Sequence, residues 1–234
     1  MRIGILQCGS VATELRSSFG DYPQMFQRLL SAASPALEFR SYDLVAGEFP
    51  GSLAECGGWL FTGSKWSVYD DKGWIQRAGE LAAYLHGARQ PTVGICFGHQ
   101  LIAAALGGRV ERAPQGWGVG VHTTRILAQP AWLEPTTERL ALLVSHQDQV
   151  ITPPPKALHL AGDEFCPYSM LQVGDHMLTF QGHPEFSKDY ARALMQRRRM
   201  QIGEQTYAAG LASLALELDD RIVAQWIARF LQGA

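Results

Sequence analysis

Hydrophobic and polar positions along this chain change their period in a regular order. Residues 3–7 form a short apolar run that reads as a buried strand, and Tyr22–Ala33 then repeats apolar side chains at helical spacing through Met25, Phe26, Leu29 and Leu30. A second strand is predicted over 37–44 and a third over 59–62, the latter entered through Gly57-Gly58 and stopped by Gly63. Gly73–Gly87 fits a helix with Ile75, Leu81, Ala82 and Leu85 on its apolar side. A fourth strand over 91–95 runs straight into Cys96, and an alanine-rich helix over 98–106 ends at Gly107-Gly108. Strands alternating with helices imply a parallel sheet covered on both faces. The pattern then shifts. Val110 and the segments 119–126, 140–144, 158–161, Met170–Val173 and Met177–Phe180 are short, β-rich and broken by Gly and Pro, which predicts an antiparallel extension of the same sheet. Helices return over 187–203 and 214–231, the second with Ile222, Val223, Trp226, Ile227, Phe230 and Leu231 on one stripe, read as core packing in preference to a dimer face.

Composition narrows the class. The 234 residues are 47% hydrophobic and 18% charged with a net charge of -2, which suits one globular domain over 1–234 and argues against sequence-independent nucleic-acid binding. Arg197-Arg198-Arg199 is the one dense basic run and reads as a solvated helix face. No stretch approaches the ~20 apolar residues of a membrane helix. Cys8, Cys56, Cys96 and Cys166 show no paired spacing, so reduced thiols and a cytoplasmic setting are expected.

Two short segments carry the chemistry. In Gly94-Ile95-Cys96-Phe97-Gly98-His99-Gln100 a cysteine sits between a strand and a helix, the setting of a nucleophile elbow. Glycines flank it where larger side chains would meet backbone, and the helix N-terminus favours a thiolate. In Gln181-Gly182-His183-Pro184-Glu185-Phe186 a histidine is followed two residues on by a carboxylate that can orient it. Taken singly, Cys96 could be an inert core thiol and His183 a satisfied core histidine; together they supply a nucleophile, a base and an orienting acid. His99 is read as ordering the elbow helix without titrating. Trp117-Gly118-Val119-Gly120 is read as a strand beside the pocket, not a dinucleotide loop.

These two segments resemble the signature of class I glutamine amidotransferases. The likeness extends to Tyr42-Asp43, Gly47-Glu48-Phe49-Pro50, Thr62-Gly63-Ser64, Asp70-Asp71 with Trp74-Ile75, Ala113-Pro114 with Gly116, and Ser145-His146-Gln147-Asp148. It is similar to the stand-alone, GMP-synthase-like branch, which includes γ-glutamyl peptidases acting on glutathione derivatives. The resemblance implies an α/β, flavodoxin-like three-layer sandwich with Cys96 as nucleophile, His183 as base and then acid, and Glu185 as orienting carboxylate. It implies an oxyanion hole from the Phe97 amide and one amide of the Gly63-Ser64 loop, where many relatives carry Gly-Pro. Such donors are worth about 3 kcal/mol of barrier each. It places Gln100 near the substrate and the backbone of Ser145, His146 and Gln147 at its amino-acid end; ordinary loop and cap work is the alternative for these four.

The implied reaction is cleavage of the γ-amide of glutamine or of a γ-glutamyl compound through a Cys96 thioester. It needs no metal or organic cofactor. The expected partner is a small-molecule substrate, with no nucleic acid and no membrane. A glutaminase subunit serving a separate synthase, a homodimer, and a non-catalytic interaction protein on the same fold are the competing readings.

Overall fold

The computed structural model describes residues 1–233. In chain order the elements begin with β1 (Arg2–Gln7), α1 (Thr13–Phe19), α2 (Tyr22–Ala33), β2 (Glu38–Asp43), β3 (Gly58–Phe61), α3 (Gly73–Gly87), β4 (Thr92–Ile95) and α4 (Phe97–Ala105). Seven strands follow: β5 (Arg109–Arg112), β6 (Gly118–Ile126), β7 (Arg139–His146), β8 (Asp148–Thr152), β9 (Leu158–Gly162), β10 (Met170–Val173) and β11 (Met177–Phe180). The chain closes with α5 (Lys188–Ile202), α6 (Glu204–Ser213) and α7 (Asp220–Gln232).

Nine strands form one sheet in the order β2-β1-β3-β4-β11-β10-β9-β6-β7. From β2 to β11 neighbouring strands run parallel, and from β11 outward each pair is antiparallel. This is the flavodoxin-like, mostly parallel architecture with an antiparallel extension that the alternating pattern predicts. Alternate side chains of the central strands feed two cores. Ile3, Ile5, Leu60, Val93 and Ile95 pack with Phe26 and Leu30 of α2 and with Trp226 and Ile227 of α7. Leu6, Trp59 and Phe61 pack on the other face with Ile75 and Leu85 of α3 and with Phe97 and Ile102 of α4. The stripe on α7 is therefore core, as its spacing predicts.

The structure corrects four expectations. Val110 lies outside the large sheet: β5 pairs with β8, an unanticipated strand, in a separate two-stranded sheet. The last helix begins at Asp220, and the helix over 204–213 before it went unread. Its sequence carries no apolar stripe because α6 approaches β6 through glycines: a Cβ on Gly120 would lie 2.5 Å from the Gly210 carbonyl oxygen. Helix α1 was also missed, since it buries none of its residues and so leaves no hydrophobic signal. Finally, Arg197-Arg198-Arg199 is not a uniformly solvated face. Arg198 follows Tyr190 and Leu194 at intervals of four on the buried stripe of α5 and points its guanidinium to Ser145.

Candidate functional site

The site is built where neighbouring parallel strands end. In the β4–β11 ladder Ile95 pairs with Phe180, so Cys96 emerges one residue beyond one strand and His183 three residues beyond its neighbour. The Cys96 amide donates to the Phe180 carbonyl at 2.8 Å, and the His183 amide donates to the Leu143 carbonyl at 2.7 Å, tying the second turn to β7. On the other side of β4 the Gly63 loop follows β3. There a Cβ on residue 63 would stand 2.9 Å from His183 Cε1 and 3.8 Å from Cys96 Cβ, so only glycine lets this backbone reach the sulfur and imidazole.

Cys96 sits at φ 52°, ψ -98°, a left-handed conformation costly for a residue with a side chain. The elbow is held by close backbone packing. A Cβ on Gly94 would come within 2.6 Å of the Gly98 carbonyl oxygen, and one on Gly98 within 2.5 Å of that of Phe61. Helix α4 starts at Phe97, so the Cys96 sulfur lies over the positive end of its dipole. Among the described residues the amides of Gly63, Ser64 and Phe97 donate to no protein acceptor. These are the donors predicted for an oxyanion.

His183 is 4% exposed and its Nδ1 lies 2.7 Å from Glu185 Oε1, whose side chain is fully buried. The ring stacks on Phe186 with centroids 3.8 Å apart and planes 7° apart, and Tyr22 also stacks on Phe186, with centroids 6.2 Å apart. Burial pushes the imidazole pKa down, but the neighbouring Glu185 carboxylate, hydrogen-bonded through Nδ1, and the nearby Cys96 sulfur outweigh it and hold His183 up at about 10. The structure brings the three predicted side chains together, with the sulfur and the carboxylate both raising the imidazole pKa. A thiol, an imidazole and a carboxylate in this order have the groups that acyl transfer uses.

The other predicted residues divide. Gln100 is buried and donates from Nε2 to the Asp148 carbonyl at 2.8 Å and to Gln181 Oε1 at 3.0 Å. Ser145 and Gln147 line the cavity with Cys96, and their side chains accept from Arg198 at 2.9 Å and from Arg112 at 2.6 Å. His146 is buried, lies 3.2 Å through Nδ1 from the Asp148 carbonyl, and is pushed by burial down to about 3. It stays neutral. His99, likewise driven by burial to about 3, bonds Thr179 Oγ1 at 2.8 Å, consistent with ordering the elbow helix. Trp117 stands just before β6 on the cavity wall, beside the pocket as expected.

Sequence reasoning assigned no role to Gln181, Phe186, Arg112 or Arg198. Two of these stand inside the quoted histidine segment, and Arg198 lies on the buried stripe of α5; those positions were the available signals. The Cys96 cavity has a volume of about 510 Å³. A larger depression of about 950 Å³, behind the Glu185 turn between α1, α2 and α7, contains no part of Cys96 or His183.

The mostly parallel sheet with an antiparallel extension is an α/β, flavodoxin-like fold, with Cys96 on the elbow after β4. The family model described as "Glutamine amidotransferase class-I" matches residues 59–201, and this chain belongs to that family. It is 28% identical over 230 residues to γ-glutamyl peptidase 3 of Arabidopsis thaliana, covering 94% of this chain and 92% of that protein. It is also 34% identical over 114 residues to a glutamine-hydrolysing GMP synthase subunit of Methanoculleus marisnigri, covering 48% of this chain and 61% of that protein. Among solved structures, the glutamine amidotransferase of Methylobacillus flagellatus superposes with a TM-score of 0.78 at 21% identity, over 99% of this chain and 94% of that one. No helix among the described residues is long and apolar enough to cross a membrane.

Proposed function

We propose that the chain acts as one amidotransferase domain that hydrolyses the γ-amide bond of a γ-glutamyl compound through a thioester on Cys96. The observation that supports this reading is the 2.7 Å contact of His183 Nδ1 with buried Glu185, beside the Gly63 backbone that also approaches Cys96. The thiolate adds to the γ-carbonyl carbon, and the carbonyl π-electrons move to oxygen, facing the amides of Phe97 and of Gly63 or Ser64. As the tetrahedral centre collapses the C–N bond breaks, and the leaving amine takes the proton from His183 Nε2. The now neutral imidazole removes a proton from water, the hydroxide adds to the thioester carbonyl, and the C–S bond breaks to release glutamate and restore the thiolate–imidazolium pair. Glu185 holds the ring through Nδ1 in every step, and Phe186 fixes its plane. Gln100 and the backbone of Ser145, His146 and Gln147 serve the amino-acid end of the substrate. The long match to a γ-glutamyl peptidase supports an amine larger than ammonia as leaving group.

The experiment is incubation of the purified protein with glutamine, glutathione and several γ-glutamyl amines, reading released glutamate, with intact-mass detection of a Cys96 acyl adduct after acid quench. Glutamate release with an adduct that vanishes in Cys96→Ala is the expected result. Release that continues undiminished in Cys96→Ala would end the covalent mechanism. The match to a GMP synthase subunit favours a second reading, a glutaminase that passes ammonia to a separate synthase. Turnover of glutamine alone, rising when a synthase is added, would select it.

A further inference from the structure

Behind the turn from β7 to β8 lies a second and much smaller space. Leu142, Val144 and His146 are alternate residues of β7 and face it together, and Cys166, Ser169 and Gln181 meet them from the segments on either side of the β10–β11 hairpin. Its volume is about 20 Å³, enough for one water, which needs roughly 10–15 Å³. Three buried polar atoms of its lining side chains have no partner among the described residues: His146 Nε2, Gln181 Nε2 and Ser169 Oγ. An unpaired buried donor or acceptor is costly, and three hydrogen bonds are the usual complement of a buried water.

The roles of these atoms fit a single water. His146 Nδ1 lies 3.2 Å from the Asp148 carbonyl, which can only accept, so Nδ1 carries the proton. Burial keeps the ring neutral, with its pKa down at about 3, and Nε2 is left as a bare acceptor. Gln181 Oε1 accepts from Gln100 Nε2 at 3.0 Å, so the amide nitrogen of Gln181 is the side's donor. Ser169 can take either role. A water that accepts from Gln181 and donates to His146 closes a ring, because Gln100 Nε2 also donates to the Asp148 carbonyl at 2.8 Å. That carbonyl is then gripped from two sides, while the Asp148 carboxylate accepts from the Ser67 hydroxyl and from the Tyr69 hydroxyl at 3.0 Å. We propose that this chamber binds one water molecule as a fixed part of the site, and that Gln181, His146 and Ser169 act through it as positioning residues for the 145–147 backbone. This rests on the γ-glutamyl hydrolase reading, which puts the substrate's amino-acid end on that backbone.

The first test is a crystal structure of the native protein, in which one water should lie about 2.6–3.2 Å from all three atoms. A chamber without density, or one closed by a rotated side chain, would overturn the proposal whatever the enzyme does. The second test compares Ser169→Val with Ser169→Ala. Both remove the hydroxyl, but only the valine methyls fill the space and expel the water. Ser169→Val should raise KM for glutathione or glutamine, whichever is turned over, about tenfold with kcat within about threefold, and Ser169→Ala should raise KM by less than about threefold. Equal KM in the two variants would assign the effect to the hydroxyl and dismiss the water. A fall in kcat at constant KM would place the effect on the reacting groups and end the positioning role. Deuterium uptake over residues 144–149 reads the same backbone without substrate. It should be faster in Ser169→Val than in Ser169→Ala, and equal uptake would count as refutation. If Ser169→Val fails to fold by thermal melt, Cys166→Met fills the chamber from a neighbouring position and is judged by the same readouts. If the native protein turns over neither compound, the hydrolase reading fails by itself, and density with deuterium uptake decides the water and its hold on the backbone.

Discussion

The parallel and antiparallel halves of the sheet do different work. From β2 to β11 the strands share a direction, so their carboxyl ends gather Gly63, Cys96 and His183 within a few ångströms through short turns. From β10 to β7 the strands alternate in direction, and their contribution is a wall. It consists of Trp117, Ser145 and Gln147 at one end of the β6–β7 pair, backed by Arg198 of α5. The first half brings the atoms of the proposed reaction together mainly by register, with the His183 turn tied back to Leu143 of β7. The second shapes what can sit beside them, through side chains that meet only after α5 packs across the sheet. Under the proposed reading, reaction type and substrate choice fall to separate parts of one fold.

This division can be broken most sharply on the parallel side. Cys96→Ala should lower kcat/KM by at least about 10⁴-fold and His183→Ala by nearly as much, because members of a triad act as a unit. Far-UV circular dichroism should remain unchanged in the cysteine variant. A surviving rate would mean that the elbow is not where the substrate is attacked. Glu185→Gln should be about a hundredfold milder than the cysteine variant. Its pH dependence is the sharper measurement. His183 is held above its ordinary value, so the imidazolium and the stability it confers are present below about 6.5 and are lost as pH rises through about 10. Removing the Glu185 charge should move the alkaline limb of kcat/KM to lower pH. An unmoved limb would show that the carboxylate does not hold the proton.

Two glycine variants compare the halves directly. Gly98→Ala forces a Cβ to within 2.5 Å of the Phe61 carbonyl oxygen, and Gly120→Ala forces one to within 2.5 Å of that of Gly210 at φ 81°. Each should cost about 1–3 kcal/mol in urea unfolding. Gly98→Ala should also depress kcat through displacement of the elbow, whereas Gly120→Ala should act on stability far more than on kcat. Equal depression of kcat in both would mean that the two halves are mechanically coupled. The smallest effect is expected from Phe186→Leu, which removes the ring stacked on His183 and should lower kcat by about 2- to 12-fold, in line with about 0.5–1.5 kcal/mol for an aromatic pair. A change below twofold would leave the imidazole plane fixed by Glu185 alone.

Much of the candidate site was legible because its constraints are local. A cysteine between flanking glycines at a strand-to-helix turn, and a histidine two residues from a glutamate, mark themselves as candidates from neighbours in the chain. The same holds for helices with a continuous apolar stripe, such as α2 and α7. What escaped lacks such a local mark. Helix α6 packs through glycine and so shows no stripe. Gln181 accepts from Gln100, 81 residues away, and Arg198 donates to Ser145, 53 residues away.

The amino-acid sequence by itself determined the alternation of strands and helices, the elbow, and which three side chains have the chemistry to act together. Only the tertiary structure decided that His183 is buried against Glu185 and near the Cys96 sulfur, that Asp148 is occupied by Ser67 and Tyr69, and that Arg198 reaches the cavity. The reason is physical. Backbone preference and hydrophobic period are written in neighbouring residues, whereas the burial and partners of a charge depend on which distant segments the fold brings against it.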